Sequence, residues 1–88
     1  MNFQQLSYII AVEEFKNFNR AALACDVAQS TLSKEIQRLE KEHDIVIFDR
    51  TRNPVVPTLK GIDLINKAKE ILLLKKDFIQ IAKKKQNE

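Results

Sequence analysis

The sequence predicts a mainly α domain in which three helices and a small two-stranded wing precede a long C-terminal helix. Three observations carry that expectation. Apolar residues recur at helical spacing along residues 3–14, 20–42 and 59–84, and the 88 residues contain one Gly and two Pro. A β-branched and aromatic run over 45–49 reads as a short strand. After it, residues 50–54 (RTRNP) are turn-like and Val55 and Val56 return as a second strand, which Pro54 and Pro57 keep short. Together these elements describe a winged helix-turn-helix with an appended helix.

The first helix, 3–14, has Asn2 as its N-cap and an apolar stripe of Phe3, Leu6, Ile9, Ile10 and Val12. Phe15 and Phe18 flank a polar turn at Lys16 and Asn17. With no third aromatic beside them, both rings read as core plugs rather than a stacking platform for single strands. Asn19 is placed to cap the second helix, 20–25, where Ala21 and Ala22 permit close packing. Cys25 reads as a small structural residue, because neighbouring Asp26 disfavours a thiolate.

Asp26, Val27 and Ala28 form the turn, with Val27 packed inward, and the third helix follows from about Gln29 to Glu42. Ala28 offers no side-chain cap; Ser30 or Thr31 would have to supply one. On the third helix Leu32, Ile36, Leu39 and His43 share one face, leaving Ser30, Ser33, Lys34, Gln37 and Lys41 on the other. Alone, that pattern also describes an ordinary amphipathic surface helix. His43 is expected at a core or boundary position, since a metal site needs further ligands.

Thr58 caps the last helix. Its apolar residues are too many for one narrow face: Ile62, Ile65, Leu72 and Ile79 form one line, and Leu64, Ile71, Leu74, Phe78 and Ile81 another. A lone domain cannot cover both, and a wet patch of that size is unfavourable. Pairing with the same helix of a second copy is the simplest solution. The chain therefore divides into a unit at 1–57 and a linker and dimerisation helix at 58–88, with Leu64, Ile65, Ala68, Ile71, Leu72, Leu74, Phe78, Ile79 and Ile81 as the candidate dimer residues.

Formal net charge is +3 and the pI is near 9.1, which suits a nucleic-acid partner without requiring one. Residues 31–60 carry six Lys and Arg against five Asp and Glu, whereas 61–88 carry seven against four. Much of the excess is thus remote from the third helix, and Lys83 to Lys85 read as a solvated helix end. One Cys excludes an internal disulfide, and neither a membrane span nor a signal peptide is recognisable, so a reducing cytoplasm is the expected compartment. Enzymatic motifs are missing: there is no Gly-rich phosphate loop and no second His or Cys. Ser33 and His43 lie about three turns apart on one helix, beyond hydrogen-bonding reach. No enzyme activity, cofactor or metal is expected.

The ordered matches Ala21–Ala22, Gln29–Leu32–Ser33, Ile36–Leu39–Glu40, Ile47–Phe48–Arg50, Arg52 and Thr58–Gly61 cover most of the chain. They resemble the N-terminal winged helix-turn-helix domain of LysR-type transcriptional regulators. The resemblance implies sequence-specific binding of double-stranded DNA, at an interrupted palindrome, by a homodimer joined through the C-terminal helix. It also implies an effector-binding domain beyond these residues, so that an effector ligand would need that domain. On this reading the third helix enters the major groove: Gln29 suits an adenine edge, Lys34 a guanine, and Ser30 and Ser33 either a base edge or a phosphate. Thr31, Gln37 and Arg38 suit the backbone, as does Arg20, which is equally well explained as a surface cation. Arg52 and Asn53 lie at the wing, where Arg52 would enter the minor groove or remain a free surface cation. Arg50 fits a DNA contact or an ion pair with Asp49 or Glu42. The competing reading is a winged-helix protein-interaction module without specific DNA binding, supported by the near balance of charge in 31–60.

Overall fold

The computed structural model describes residues 1–85; positions 86–88, the end of the expected 58–88 unit, lie outside the described residues. The element order is α1 (Phe3–Phe15), α2 (Phe18–Ala24), α3 (Gln29–His43), β1 (Phe48–Asp49), β2 (Val56–Pro57) and α4 (Leu59–Lys83). The expected mainly α architecture with a two-stranded wing is present. No helix among the described residues is long and apolar enough to cross a membrane.

Helix α1 opens with a capping box. Asn2 accepts from the Gln5 backbone N–H at 2.8 Å, and the Gln5 side chain accepts from the Asn2 N–H at 3.1 Å. This lets Gln5 be buried without an unsatisfied amide, its Nε2 donating to Glu35 at 3.1 Å. Leu6, Ile9 and Val12 enter the core as expected, with Tyr8 and Ala11 beside them. Phe3 does not: it is exposed, with the Lys75 ammonium 4.6 Å from its ring centre. Phe15 is exposed as well, because α1 ends there and Lys16 turns left-handed at φ 55°. Of the two expected aromatic plugs only Phe18 packs inward, half-buried and edge-on to Phe48 with ring centres 6.0 Å apart.

The cap of α2 is Asn17, not Asn19. Asn17 has extended backbone and its side chain accepts from the Arg20 N–H at 2.9 Å, so the helix begins earlier than expected, at Phe18. Ala21 and Ala22 are buried where α2 meets its neighbours. Along α3, Leu32, Ile36 and Leu39 are buried, but His43 is exposed at the helix end, its Nε2 lying 3.0 Å from Glu42. Of the core or boundary position expected for His43 the core is excluded: α3 ends there, and Asp44 turns the chain left-handed at φ 52°.

The wing strands are shorter and shifted relative to the expected 45–49 and 55–56. Phe48 pairs with Pro57 and Asp49 with Val56, antiparallel. Residues before Phe48 bond to helices instead of a strand: the Ile47 N–H donates to the Glu40 carboxylate at 2.8 Å, and the Ile47 carbonyl accepts from the Thr58 N–H at 2.9 Å. Pro57, lacking a donor, is tolerated at this edge. Thr58 then caps α4, accepting from the Gly61 N–H at 2.9 Å and donating to the Val46 carbonyl at 2.6 Å. Ile65 and Ala68 are buried with α1, so these two of the expected dimer residues belong to the monomer's own core. Leu64, Ile71 and Leu72 are half-buried at its margin, and Leu74, Phe78, Ile79 and Ile81 are exposed beyond it.

Candidate nucleic-acid interface

With Leu32, Ile36 and Leu39 buried, α3 can present only its other side to a partner. Gln29, Ser30, Thr31, Lys34, Gln37, Arg38 and Lys41 are exposed there, and Ser33 is half-buried. Ser30, Lys34, Gln37 and Lys41 follow the spacing of the buried set, so they form a coherent face. Ala28 precedes the helix with no side-chain cap. Neither Ser30 nor Thr31 supplies one among the described residues; the first-turn N–H groups that lack an intrahelical acceptor are left facing outward.

The cations differ in how free they are. Lys34, Lys41 and Arg20 have no ion pair among the described residues. Arg38 pairs with Glu35 at 3.0 Å, in an exposed contact that competes weakly with solvent. At the wing, Arg52 is mostly exposed and only loosely opposed by Asp49 at 3.7 Å, and Asn53 is exposed next to it. Hydrogen bonds from Thr51 hold the Asp49 carboxyl below the usual carboxylate range, with a smaller pull from Arg52.

Arg50 is different. Its partner is neither Asp49 nor Glu42 but Glu40, at 3.3 Å. The same guanidinium donates to the Ser33 hydroxyl at 3.1 Å and lies 4.8 Å from the Phe18 ring centre. Glu42 instead binds the Met1 ammonium at 2.7 Å, which with His43 lowers its pKa. In the sequence Glu40 stands out only as one of the positions that carry the LysR-type resemblance. The available signal was its place on the flank of α3, between the buried and exposed faces, ahead of a β-rich segment.

Cys25 is half-buried, and burial pushes its thiol pKa up, so it is a neutral thiol at pH 7. Iodoacetamide is therefore expected to label it more slowly in the folded domain than in urea, with the folded rate climbing as pH rises. Equal rates in both states would show an accessible thiol. Among the described residues no group of three or more His, Cys, Asp and Glu side chains is placed to hold a metal.

A helix anchored on one side and polar on the other, beside a basic wing, defines the winged helix-turn-helix class. Residues 3–62 match the model of the bacterial regulatory helix-turn-helix proteins of the lysR family, and the chain belongs to that family. It is 42% identical over 72 residues to a hydrogen peroxide-inducible genes activator of Haemophilus influenzae, covering 82% of this chain and 24% of the relative. Against the DNA-binding transcriptional dual regulator OxyR of Escherichia coli the identity is 39%, with the same 82% and 24% coverage. The chain thus spans about a quarter of the length of these curated relatives. Among solved structures, a complex of the BenM DNA-binding domain with benA site 1 DNA superposes with a TM-score of 0.91 at 32% identity, covering 94% of this chain and 93% of that one. A full-length OxyR variant from Pseudomonas aeruginosa gives 0.92 at 31%, covering 99% and 30%.

Proposed function

We propose that this chain binds double-stranded DNA sequence-specifically, as the DNA-binding unit of a cytoplasmic transcription regulator, with residues 1–57 contacting DNA and 58–88 joining two copies. The observation that carries the reading is the exposed face of α3 bearing Gln29, Ser30, Lys34 and Gln37 opposite a fully buried apolar face. The likeness to a domain solved on DNA supports it. Gln29 and Lys34 read base edges, Ser30 bonds a base edge or a phosphate, and Thr31, Gln37, Arg38 and Arg20 bond the phosphate backbone and fix register. Ser33 stands at the margin of the same face, and Arg52 with Asn53 reaches the flanking minor groove. The exposed end of α4 pairs with its counterpart, presenting two recognition helices to the half-sites of a palindrome.

Selection of duplexes from a random library tests the reading, with enrichment of a two-half-site sequence as the expected result. Failure to enrich any sequence over the starting pool would refute base reading. Against the selected site, Lys34→Ala is expected to cost roughly 1–3 kcal/mol and to relax preference at one position per half-site. An anisotropy titration on matched and substituted duplexes measures both. A uniform loss on every sequence would make Lys34 a phosphate contact instead.

A further inference from the structure

The wing and α3 are tied by one carboxylate. Glu40, whose side chain is 14% exposed, accepts from the backbone N–H of Ile47 at 2.8 Å and less closely from that of Phe48 at 3.4 Å. Its other oxygen accepts from Arg50 at 3.3 Å. The Arg50 side chain is 30% exposed, stacked on Phe18, and its second terminal nitrogen donates to Ser33. One guanidinium from the wing therefore meets a carboxylate and a hydroxyl of α3 and an aromatic face of α2. Fixed planar donors suit such a site, and a lysine ammonium cannot satisfy it.

We infer that Glu40 and Arg50 are a positioning pair: they set the wing against the recognition helix and turn the Ser33 hydroxyl into a donor aimed at DNA. The Ser33 oxygen accepts from Arg50, and among the described residues the Ser33 hydroxyl donates no hydrogen bond, which leaves its hydrogen for an outside acceptor. Arg50, which the sequence leaves open between a DNA contact and an ion pair, acts through Ser33 and through the placement of Arg52 at the wing tip. The inference rests on the DNA-binding reading above, and it assigns Arg50 a geometric task within that reading.

Glu40→Gln keeps an oxygen for the Ile47 and Phe48 amides but removes the charge facing Arg50. Arg50→Lys keeps the positive charge but loses the planar fork. With the duplex selected from the random library as probe, each variant is expected to bind roughly tenfold more weakly, as loss of a hydrogen bond to a charged group implies. The double variant should bind no more weakly than either single one. The slope of log affinity against log salt should be unchanged, because no phosphate contact is lost, and affinity for a mixed-sequence duplex should hardly move. In a Ser33→Ala background the loss caused by Arg50→Lys should shrink to the part that comes through the placement of the wing. Wild-type affinity for Arg50→Lys, or additive losses in the double variant, would overturn the inference.

A DNA-free measurement separates this from failure of the reading itself. In the free protein the Arg50 guanidinium should give resolved, slowly rotating N–H signals by NMR, and these should average in Glu40→Gln. If the wild-type domain enriches no sequence while those signals behave as described, the DNA-binding reading fails and the tie between wing and helix stands. Averaged signals in the wild type would remove the tie.

Discussion

Gly61→Ala is expected to destabilise the folded domain by roughly 1–3 kcal/mol, against the direction that helix propensity predicts. Gly61 lies in the first turn of α4, where Ala would ordinarily gain up to about 1 kcal/mol over Gly. Here an added Cβ would stand 2.1 Å from the Ile47 carbonyl oxygen and 2.9 Å from its carbon. Both are backbone atoms, so no side-chain rotation relieves the overlap. The same oxygen accepts from the Thr58 N–H at 2.9 Å, so displacing it also loosens the junction between wing and α4. Overlap wins over propensity. Urea denaturation of the variant should show a lower midpoint, whereas Asn66→Ala at an exposed α4 position should hold or raise it. A Gly61→Ala domain as stable as the wild type would mean that α4 does not approach Ile47 this closely.

The role of Gly61 shows where the sequence is legible and where it stops. Caps and buried helical faces follow from local rules, and Asn2, Thr58 and the Leu32–Ile36–Leu39 face stand as expected. Choices settled by tertiary contacts do not. Asn17 and Asn19 are equally good caps by type; the packing of Phe18 on Phe48 accompanies a start at the earlier one. Asp49 and Glu42 are plausible local partners for Arg50. Glu40 is reached only because the wing folds back over α3, and nothing in a spacing rule encodes that return. The close approach at Gly61 has the same origin. Its residue type was visible, but the carbonyl it makes room for belongs to Ile47, fourteen residues away in sequence.

The recognition face was readable because amphipathic periodicity assigns the polar side of a helix once its apolar side is known. The excess of apolar residues on α4 was equally readable, but periodicity cannot say how much of a helix its own domain covers. Ile65 and Ala68 are enclosed by the monomer, while the half beyond Leu72 extends past the core. Those exposed residues set the scale of the second large effect.

Phe78→Lys is expected to convert the proposed dimer to monomer and to weaken binding to a two-half-site duplex by about 100-fold or more. Leu74, Phe78 and Ile81 are 67%, 74% and 71% exposed, so none contributes much to the monomer's core. With Leu64, Lys67 and Ile71 they follow steps of three and four residues, the period of a helix seam that pairs with another helix. Burying a Phe side chain is worth about 1.5–3 kcal/mol, and a two-fold pairing buries one from each copy. Losing both, and bringing two ammonium groups toward an apolar seam, exceeds the roughly 2.7 kcal/mol that separates a micromolar from a hundred-micromolar dimer. Sedimentation equilibrium should therefore find a monomer with unchanged helical circular dichroism. Affinity for a duplex carrying one half-site should be preserved, because the wing and α3 are untouched. The two measurements together separate dimer loss from unfolding: a fall on one and two half-sites alike would indicate damage to the domain. A Phe78→Lys chain that still sediments as a dimer would place the contact between copies elsewhere on the molecule.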